Sequence, residues 1–284
     1  MKICDLHNDF LTEINNLEDK KKYFEKSLLN NKLIRFVNCV IWTSKIKDVN
    51  LFIKNNNFIL KERNNNKILI SFEDLDFIIK NKIIDFDELK LILDIKPFSC
   101  GVVWNYDNNI GGGAFGKNGL STNGKNLVGV LESNNILIDT AHMNRRTFYD
   151  FVKISKMPIY NSHSNIYQFK KHRRNLTDKQ IKIIINSNGF IGLSFVCDFI
   201  SDKKVDCDII VQQIKFFTDR YGCNNIGIGS DFFGTDNLPV DVKDYFDLRK
   251  LRKKMLEQGF SKWQVNKIFY KNFINFKNRL KVYA

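Results

Sequence analysis

The chain alternates between short apolar runs and longer segments in which apolar residues recur every three or four positions. Eight of the short runs are rich in β-branched and aromatic residues, which is typical of strands. They occupy residues 2–6, 34–42, 68–72, 100–104, 136–139, 158–161, 190–195 and 225–229. Because most of these runs are apolar on consecutive positions, both faces of each strand should be covered, as in a parallel sheet.

The longer segments predict helices at residues 45–61, 77–93, 124–134, 144–157, 177–186 and 207–221, with two C-terminal helices at 242–258 and 261–281. Thr177 and Gln180 have the spacing of a capping box. Alternating strands and helices imply parallel strands joined by right-handed crossovers. Eight strands favour closure into an α/β (β/α)8 barrel, the TIM barrel, with extra C-terminal helices. A doubly wound open sheet is the alternative.

A length of 284 residues fits one such barrel, so we expect a single domain spanning residues 1–284. The net charge of +14 would suit a polyanion if it were concentrated, but Lys and Asn are spread over the whole chain. The basic stretches at 249–254 and 267–281 have the pattern of the solvated side of amphipathic helices. We therefore expect no nucleic-acid partner.

The beginning of the chain carries Asp5 and Asp9 where a signal peptide needs unbroken apolar sequence, and no segment is apolar enough to span a membrane. The six cysteines show no CxxC pairing, which is typical of buried, reduced thiols. A cytoplasmic protein without a membrane partner is the expectation. The glycine cluster at 111–113 lacks the spacing of a phosphate-binding loop and is interpreted as a loop above the barrel mouth.

Three of the four histidines lie near the predicted carboxyl ends of strands, where barrel active sites assemble. Carboxylates accompany them, and the set comprises His7, Asp9, Glu73, His142, His163 and Asp231. Imidazoles mixed with carboxylates suit Zn2+ or a similar first-row ion. Glu73 is the candidate bridge between two ions, and Asp231 is left to transfer the proton from an attacking hydroxide to the leaving amine. The fourth histidine, His172, lies in the same segment as Arg174. A solvent-facing loop residue is the prediction, and a residue that lines the cleft is the alternative.

Taken together, these motifs resemble those of the membrane (renal) dipeptidase family of the amidohydrolase superfamily, in order and in spacing over nearly the whole chain. The matching segments are His7-Asn8-Asp9, the block from Gly119-Leu120-Ser121-Thr122 to His142, Ser162-His163-Ser164, Arg173-Arg174-Asn175 and Gly229-Ser230-Asp231-Phe232. The resemblance implies a binuclear-zinc metallopeptidase that cleaves dipeptides and tolerates a D-residue at the C-terminal side. Because relatives commonly dimerise, a homodimer is a further expectation.

Residue roles implied by the resemblance follow position by position. His7 and Asp9 resemble ligands of one zinc, His142 and His163 those of the other, and Glu73 the carboxylate that bridges both ions together with a hydroxide. Asp231 resembles the catalytic acid/base. Arg174 resembles the residue that pairs with the substrate carboxylate, for which a guanidinium fork is suited.

Two positions depart from the family pattern. Phe233 stands where a second acid is usual, and Trp104-Asn105 occupies the place of a substrate-contacting histidine in the mammalian enzymes. Trp104 and Asn105 are therefore the predicted substrate-binding pair. The changed pocket leaves open an alternative hydrolysis, of a lactone, phosphoester or N-acyl amino acid, at the same two-metal site. A non-catalytic binding protein would be marked by loss of Asp231 or Glu73, and both are present.

Overall fold

The computed structural model describes residues 1–57 and 67–283. Eight parallel strands close into a barrel in which each strand pairs with its neighbours in chain order, and β1 pairs with both β2 and β8. This arrangement confirms the predicted TIM barrel. The strands are β1 Ile3–Asn8, β2 Ile34–Trp42, β3 Ile68–Glu73, β4 Ser99–Gly101, β5 Leu137–Asp139, β6 Tyr160–Asn161, β7 Phe190–Leu193 and β8 Ile226–Ile228.

Helical segments separate the strands along the described chain. The α-helices are Phe10–Glu13, Leu17–Tyr23, Val49–Asn55, Phe86–Ile95, Thr122–Ser133, Arg145–Val152, Asp178–Asn186, Cys207–Tyr221, Leu248–Glu257, Lys262–Asn266 and Asn272–Leu280. The capping box predicted at Thr177 and Gln180 is present. The predicted helix at 45–61 is represented by Val49–Asn55, and its last four positions, 58–61, lie outside the described residues. No described helix has both the length and the apolarity that a membrane crossing would require.

The predicted helix at 77–93 is wrong over its first half. Ile79–Lys80 and Ile83–Ile84 form a short antiparallel pair instead. Asn81 and Lys82 both have positive φ, of 50° and 64°, which turns the chain back in the manner of a tight hairpin. The helix begins only after Asp85, whose side chain accepts hydrogen bonds from the N–H groups of Asp87 and Glu88.

Several other predicted element boundaries also differ from those in the structure. The predicted helix at 242–258 begins only at Leu248, and the one at 261–281 is interrupted by a π-helical turn at Lys267–Lys271. The short N-terminal helices Phe10–Glu13 and Leu17–Tyr23 were not predicted from the sequence. The predicted strand at 100–104 is shifted, since β4 ends at Gly101 and the residues beyond it enter the loop that contributes Trp104 to the cavity described below.

The C-terminal helix Asn272–Leu280 packs on a separate aromatic cluster inside the barrel. Phe273 and Phe276 are fully buried there against Phe36, Tyr160 and Phe190. Their partners come from three different strands, β2, β6 and β7. Since buried aromatic side chains contribute large apolar areas, this helix contributes to the stability of the whole barrel.

We expect Phe273→Ala to lower the free energy of unfolding by about 3–5 kcal/mol, the cost of emptying a large buried aromatic site. Urea unfolding followed by circular dichroism measures this change. Phe246→Ala is the matched control, because Phe246 is 54% exposed. The control should change stability by less than about 0.5 kcal/mol. Equal losses for the two variants would contradict the assigned role of the cluster.

Candidate active site

The residues predicted to carry the chemistry follow the carboxyl ends of different strands and surround one cavity of about 280 Å³. Eight of the nine predicted site residues line it, namely Asp9, Glu73, Trp104, Asn105, His142, His163, Arg174 and Asp231. The ninth, His7, is buried next to the cavity, with its ring centroid 3.7 Å from that of His163. The structure therefore brings together every side chain of the predicted set.

One group of potential metal-binding atoms centres on Glu73, the last residue of β3. Its Oε1 atom lies 2.9 Å from Nε2 of His142 and 3.7 Å from Nε2 of His163. The two Nε2 atoms are 3.0 Å apart. Three donor atoms of different residues thus converge on one small volume.

A second group forms around His7 and Asp9 on β1 and just after it. Nε2 of His7 lies 3.1 Å from Oδ2 of Asp9, without the alignment of a hydrogen bond. Asp9 Oδ1 is buried and has no hydrogen-bond partner among the described residues. Donor atoms of His7, Asp9 and Asp231 lie within 4.8 Å of one another, as do those of His7, Glu73 and His163. His7 and Glu73 therefore connect the two groups.

The Nδ1 atoms of all three rings are engaged on the opposite side. Nδ1 of His142 lies 2.9 Å from Oδ1 of Asn105. Nδ1 of His163 and Nδ1 of His7 lie 2.7 Å and 3.2 Å from the same atom, Oγ of Ser162. Such partners fix the tautomer of a histidine and leave Nε2 free to bind a metal. Asn105, predicted to bind substrate, is placed as the partner of His142.

Burial and charge act on the three imidazoles in different ways. Burial lowers the pKa of His142 to about 4 and moves the pKa of His163 well below its ordinary value, so both rings are neutral. Burial also disfavours the charged form of His7, but the carboxylates of Asp9 and Glu73 outweigh it and raise its pKa to about 10. The carboxylates thus create a demand for positive charge at this site.

The carboxyl groups of Glu73 and Asp231 also differ in the direction of their pKa shifts. Burial opposes ionisation of Glu73, yet the close contact with His142 and the charges of His7 and Arg174 hold its pKa down to about 2. Burial raises the pKa of Asp231 to about 7, against the opposing influence of His7. A carboxyl group with a pKa near neutrality can both accept and release a proton under ordinary conditions.

These residues fit a divalent metal. The donor set is imidazole nitrogen and carboxylate oxygen, the combination that first-row divalent ions prefer. Asp9 Oδ1 is an orphaned buried acceptor, and the neutral His142 and His163 turn their Nε2 atoms towards each other at 3.0 Å. Cations bound at the two donor groups would satisfy both arrangements.

Two turns deliver His142 and Asp231 to the cavity in an unusual backbone conformation. Their φ angles are 66° and 64°, in the left-handed region, which costs non-glycine residues about 1–3 kcal/mol and is common at functional sites. After Asp231 the chain passes Phe233, also at positive φ, and then Gly234. A Cβ at Gly234 would lie 2.3 Å from Asp231 Oδ1 and 2.4 Å from Asp9 Oδ2. Glycine is therefore needed for these carboxylates to keep their positions.

A buried polar network holds the ends of β1 and β8 together below this turn. Asp5 accepts hydrogen bonds from the Ser230 backbone N–H at 2.8 Å, the Ser230 hydroxyl at 2.6 Å and the Tyr245 hydroxyl at 2.7 Å. Tyr245 in turn accepts from the Asn8 amide at 2.9 Å. This network fixes the segment of Asp231 beside that of His7, whose carbonyl oxygen accepts from the Asp231 N–H.

Arg174 is buried at the cavity wall, which is inconsistent with a plain surface arginine. Its Nη2 atom donates to the carbonyl oxygen of His163 at 3.3 Å, while its Nε atom has no partner among the described residues. The guanidinium lies over the ring of Phe199, 5.3 Å from the centroid. Burial lowers the pKa of Arg174 to about 10, so the group stays cationic at neutral pH.

Aromatic side chains form the rest of the wall. Trp104 packs on Trp42, with ring centroids 4.6 Å apart, and on His142 at 5.9 Å. Phe115, in a turn, and Phe199, at the end of a short 3₁₀ helix, also line the cavity. They were missed because apolar residues outside long helices and strands carry no periodic signal. Contrary to the prediction, His172 is not a free loop histidine but lines the cavity, and its ring stacks on Phe199 at 4.8 Å.

The departures from the family pattern have clear positions. Phe233 is 36% exposed, and its ring meets that of Tyr23 edge-on with a centroid distance of 4.8 Å.

Gly113, from the glycine cluster, is buried against Trp104, where an added Cβ would lie 2.0 Å from the Trp104 carbonyl oxygen. The cluster therefore allows the close approach of backbone that supports the Trp104 loop.

A TIM barrel with imidazoles and carboxylates gathered at its mouth is typical of metal-dependent hydrolases. The model of the membrane dipeptidase family, peptidase family M19, matches residues 38–281. The chain therefore belongs to the membrane dipeptidase family, and the predicted enzyme class, a metal-dependent dipeptidase, is confirmed. Family membership also implies a divalent metal ion.

The chain is also similar to individual proteins and solved structures. An uncharacterized protein in the pqqA 5′ region of Klebsiella pneumoniae is 29% identical over 189 residues, which are 62% of this chain and 69% of that protein. The crystal structure of a metallo peptidase from Rhodobacter sphaeroides, liganded with a phosphinate mimic of the dipeptide L-Ala-D-Ala, has a TM-score of 0.83 at 20% identity over 99% of both chains. That of the dipeptidase AC, a metallo peptidase, has a TM-score of 0.83 at 20% identity over 98% of both chains.

Gly234→Ala should displace the carboxylates of Asp9 and Asp231, because the new methyl group would overlap both. We expect the affinity for divalent zinc to fall roughly tenfold or more, as when ligand positioning is disturbed. Gly129→Ala is the control, since nothing lies within 4 Å of its added Cβ. The control should keep metal affinity and gain up to about 1 kcal/mol of stability as a helical Gly→Ala change. Equal zinc affinity in both variants would refute the steric argument.

Proposed function

We propose that this protein hydrolyses the amide bond of dipeptides at a centre of two zinc ions, and that it accepts a D-residue at the C-terminal side. The observation that carries the proposal is the convergence of three imidazoles and three carboxylates at, or directly beside, one cavity. Separate chain segments deliver these side chains, and the three imidazoles are held from behind through their Nδ1 atoms. Such convergence requires a functional explanation, because buried carboxylates are costly unless they are paired.

In this proposal His7 and Asp9 hold one ion, His142 and His163 hold the other, and Glu73 is shared. Glu73 contacts His142 and His163 of one group, and its donor atom also lies within 4.8 Å of that of His7 in the other group, which supports its bridging role. Bound zinc ions supply Lewis acidity at a carbonyl and lower the pKa of water towards neutrality.

Asp231 is proposed as the residue that moves the proton. Its carboxyl group lies with His7 and Asp9 in one cluster and has a pKa near 7. It can accept a proton from the attacking water at one stage and deliver it to the departing amine at the next. The left-handed backbone at Asp231 supports this role, because strain of this kind is maintained where geometry matters.

Arg174 is proposed to bind the C-terminal carboxylate of the substrate. Its guanidinium lines the cavity and has an unpartnered Nε atom, so it retains donors for an incoming anion. The cavity volume of about 280 Å³ is near the lower end for small-molecule sites, which span roughly 300–1,000 Å³. This volume favours a dipeptide over a longer peptide.

Acceptance of a D-residue is proposed from the similarity of this chain to a solved structure. The Rhodobacter sphaeroides metallo peptidase, which shares the fold, is liganded with a mimic of L-Ala-D-Ala. The aromatic side chains of Trp42, Trp104 and Phe115 present smooth apolar surfaces in the cavity of this chain. Surfaces of this kind select for size and apolarity more strongly than for the hand of a small side chain.

The first test measures metal content and substrate range together. Protein purified without chelator should contain about two equivalents of zinc per chain if the shared-carboxylate centre forms. With zinc present, L-Ala-L-Ala, L-Ala-D-Ala and Gly-D-Ala should be cleaved. The C-terminal amide of L-Ala-D-Ala should be a poor substrate, because it lacks the charge that Arg174 binds. Liquid chromatography of the released amino acids measures each rate.

Three other results would each reject one part of the proposal. Turnover of lactones, phosphoesters or N-acyl amino acids without turnover of any dipeptide would reject dipeptide hydrolysis in favour of another hydrolysis at this site. Equal rates on the free and amidated dipeptide would reject the assignment of Arg174. One equivalent of metal at saturation would reject the two-ion centre.

Asp231→Asn should retain zinc and lose roughly 100-fold or more in kcat, because the amide cannot carry the proton. Asp236→Asn serves as the control, since Asp236 lies exposed in the same loop and does not line the cavity. Metal analysis and steady-state kinetics on L-Ala-D-Ala separate the outcomes. Loss of zinc together with turnover in Asp231→Asn would identify Asp231 as a metal ligand rather than the proton carrier.

A further inference from the structure

Ser162 occupies an unusual position between the two halves of the site. It follows β6 directly, is fully buried, and precedes His163 in the chain. Its hydroxyl oxygen lies 2.7 Å from Nδ1 of His163 and 3.2 Å from Nδ1 of His7, a residue 155 positions away. One hydroxyl group therefore contacts two imidazoles that come from β1 and from the end of β6.

Asp139, at the end of β5, holds Ser162 from the other side. Its Oδ1 atom accepts hydrogen bonds from the Ser162 N–H at 2.9 Å and from the Ala141 N–H at 3.0 Å. These two hydrogen bonds to Asp139 fix the backbone of Ser162, and with it the position from which the hydroxyl reaches both imidazoles.

The hydrogen-bonding capacity of a serine hydroxyl then determines which imidazole nitrogens carry protons. A hydroxyl group has one proton to donate and can accept two hydrogen bonds. When both acceptor positions face the imidazoles, as the two contacts indicate, each Nδ1 carries the proton that it donates. Both Nε2 atoms are consequently left without protons on the cavity side, which is the state required of a metal ligand.

We propose that Ser162, anchored through its backbone N–H by Asp139, is a positioning residue that sets the tautomer and the ring orientation of His7 and His163 together. The inference rests on the metal centre of the proposed function and adds a coupling between its two halves. His142 is excluded from the coupling, because its Nδ1 atom is held separately by Asn105. Removal of this hydroxyl should therefore weaken the binding of both ions, of one through His7 and of the other through His163.

The experiment compares zinc affinity of the whole chain with and without this hydroxyl. Competition with a chromophoric chelator gives the affinity of each bound equivalent for the wild type, Ser162→Ala and Ser99→Ala. Ser99 is the matched control, because it is a fully buried barrel serine whose hydroxyl contacts Ser71 and no histidine. We expect both equivalents to bind roughly 10–100-fold more weakly in Ser162→Ala, and about as tightly as wild type in Ser99→Ala.

A spectroscopic measurement separates positioning from a general loss of stability. Cobalt substitution reports ligand geometry through its visible absorption, and the bands of Ser162→Ala should differ from those of the wild type at full occupancy. Ser99→Ala should keep the wild-type bands. Unchanged bands together with zinc affinities of Ser162→Ala that equal those of the wild type would overturn the inference.

A second variant covers the case in which Ser162→Ala does not fold. Ser162→Cys keeps a side chain of similar shape but replaces the hydroxyl with a thiol, which accepts hydrogen bonds from the two imidazoles only weakly. Weaker zinc binding by both equivalents is expected, and unaltered binding would overturn the inference. Failure of the wild type itself to bind two equivalents is a different result, because it removes the proposed two-ion centre independently of Ser162.

Discussion

The negative charge of three carboxylates, buried at one end of the barrel, is the constraint on which the site depends. Asp9, Glu73 and Asp231 are each less than a tenth exposed. Among the described residues that line the cavity, Arg174 is the permanent cation facing them. Isolated charges of this kind are not stable away from water without partners. The raised pKa of His7 and the low pKa of Glu73 both express the same demand for positive charge, which divalent ions would meet.

Much of the architecture was predictable because its signals are local. Runs such as Ile34–Trp42 are apolar on consecutive positions, which indicates a strand covered on both faces. Once eight such runs are assigned to a closed barrel, their carboxyl ends must meet at one mouth. This geometric rule is sufficient to bring His7, Glu73 and His142 together, although they are far apart in the sequence.

The parts that were not predictable depend on contacts between distant residues or on single backbone angles. Asp5 and Tyr245 are 240 positions apart, and neither has a sequence signature that pairs them below the site. The contact between Ser162 and His7 is equally non-local. The turn at Asn81 and Lys82 was missed because their flanking Ile residues also fit a helical period, and only the positive φ values separate the two structures.

The aromatic cluster formed by Phe273 and Phe276 packs against strand residues such as Phe36 and Phe190, near the beginnings of β2 and β7, whereas the strained turns at His142 and Asp231 follow the ends of β5 and β8. This separation makes the molecule a good scaffold for redesign. The cavity loops could be exchanged to alter substrate choice while the opposite end of the barrel keeps the fold intact. Strengthening that end first would give such exchanges a margin against unfolding.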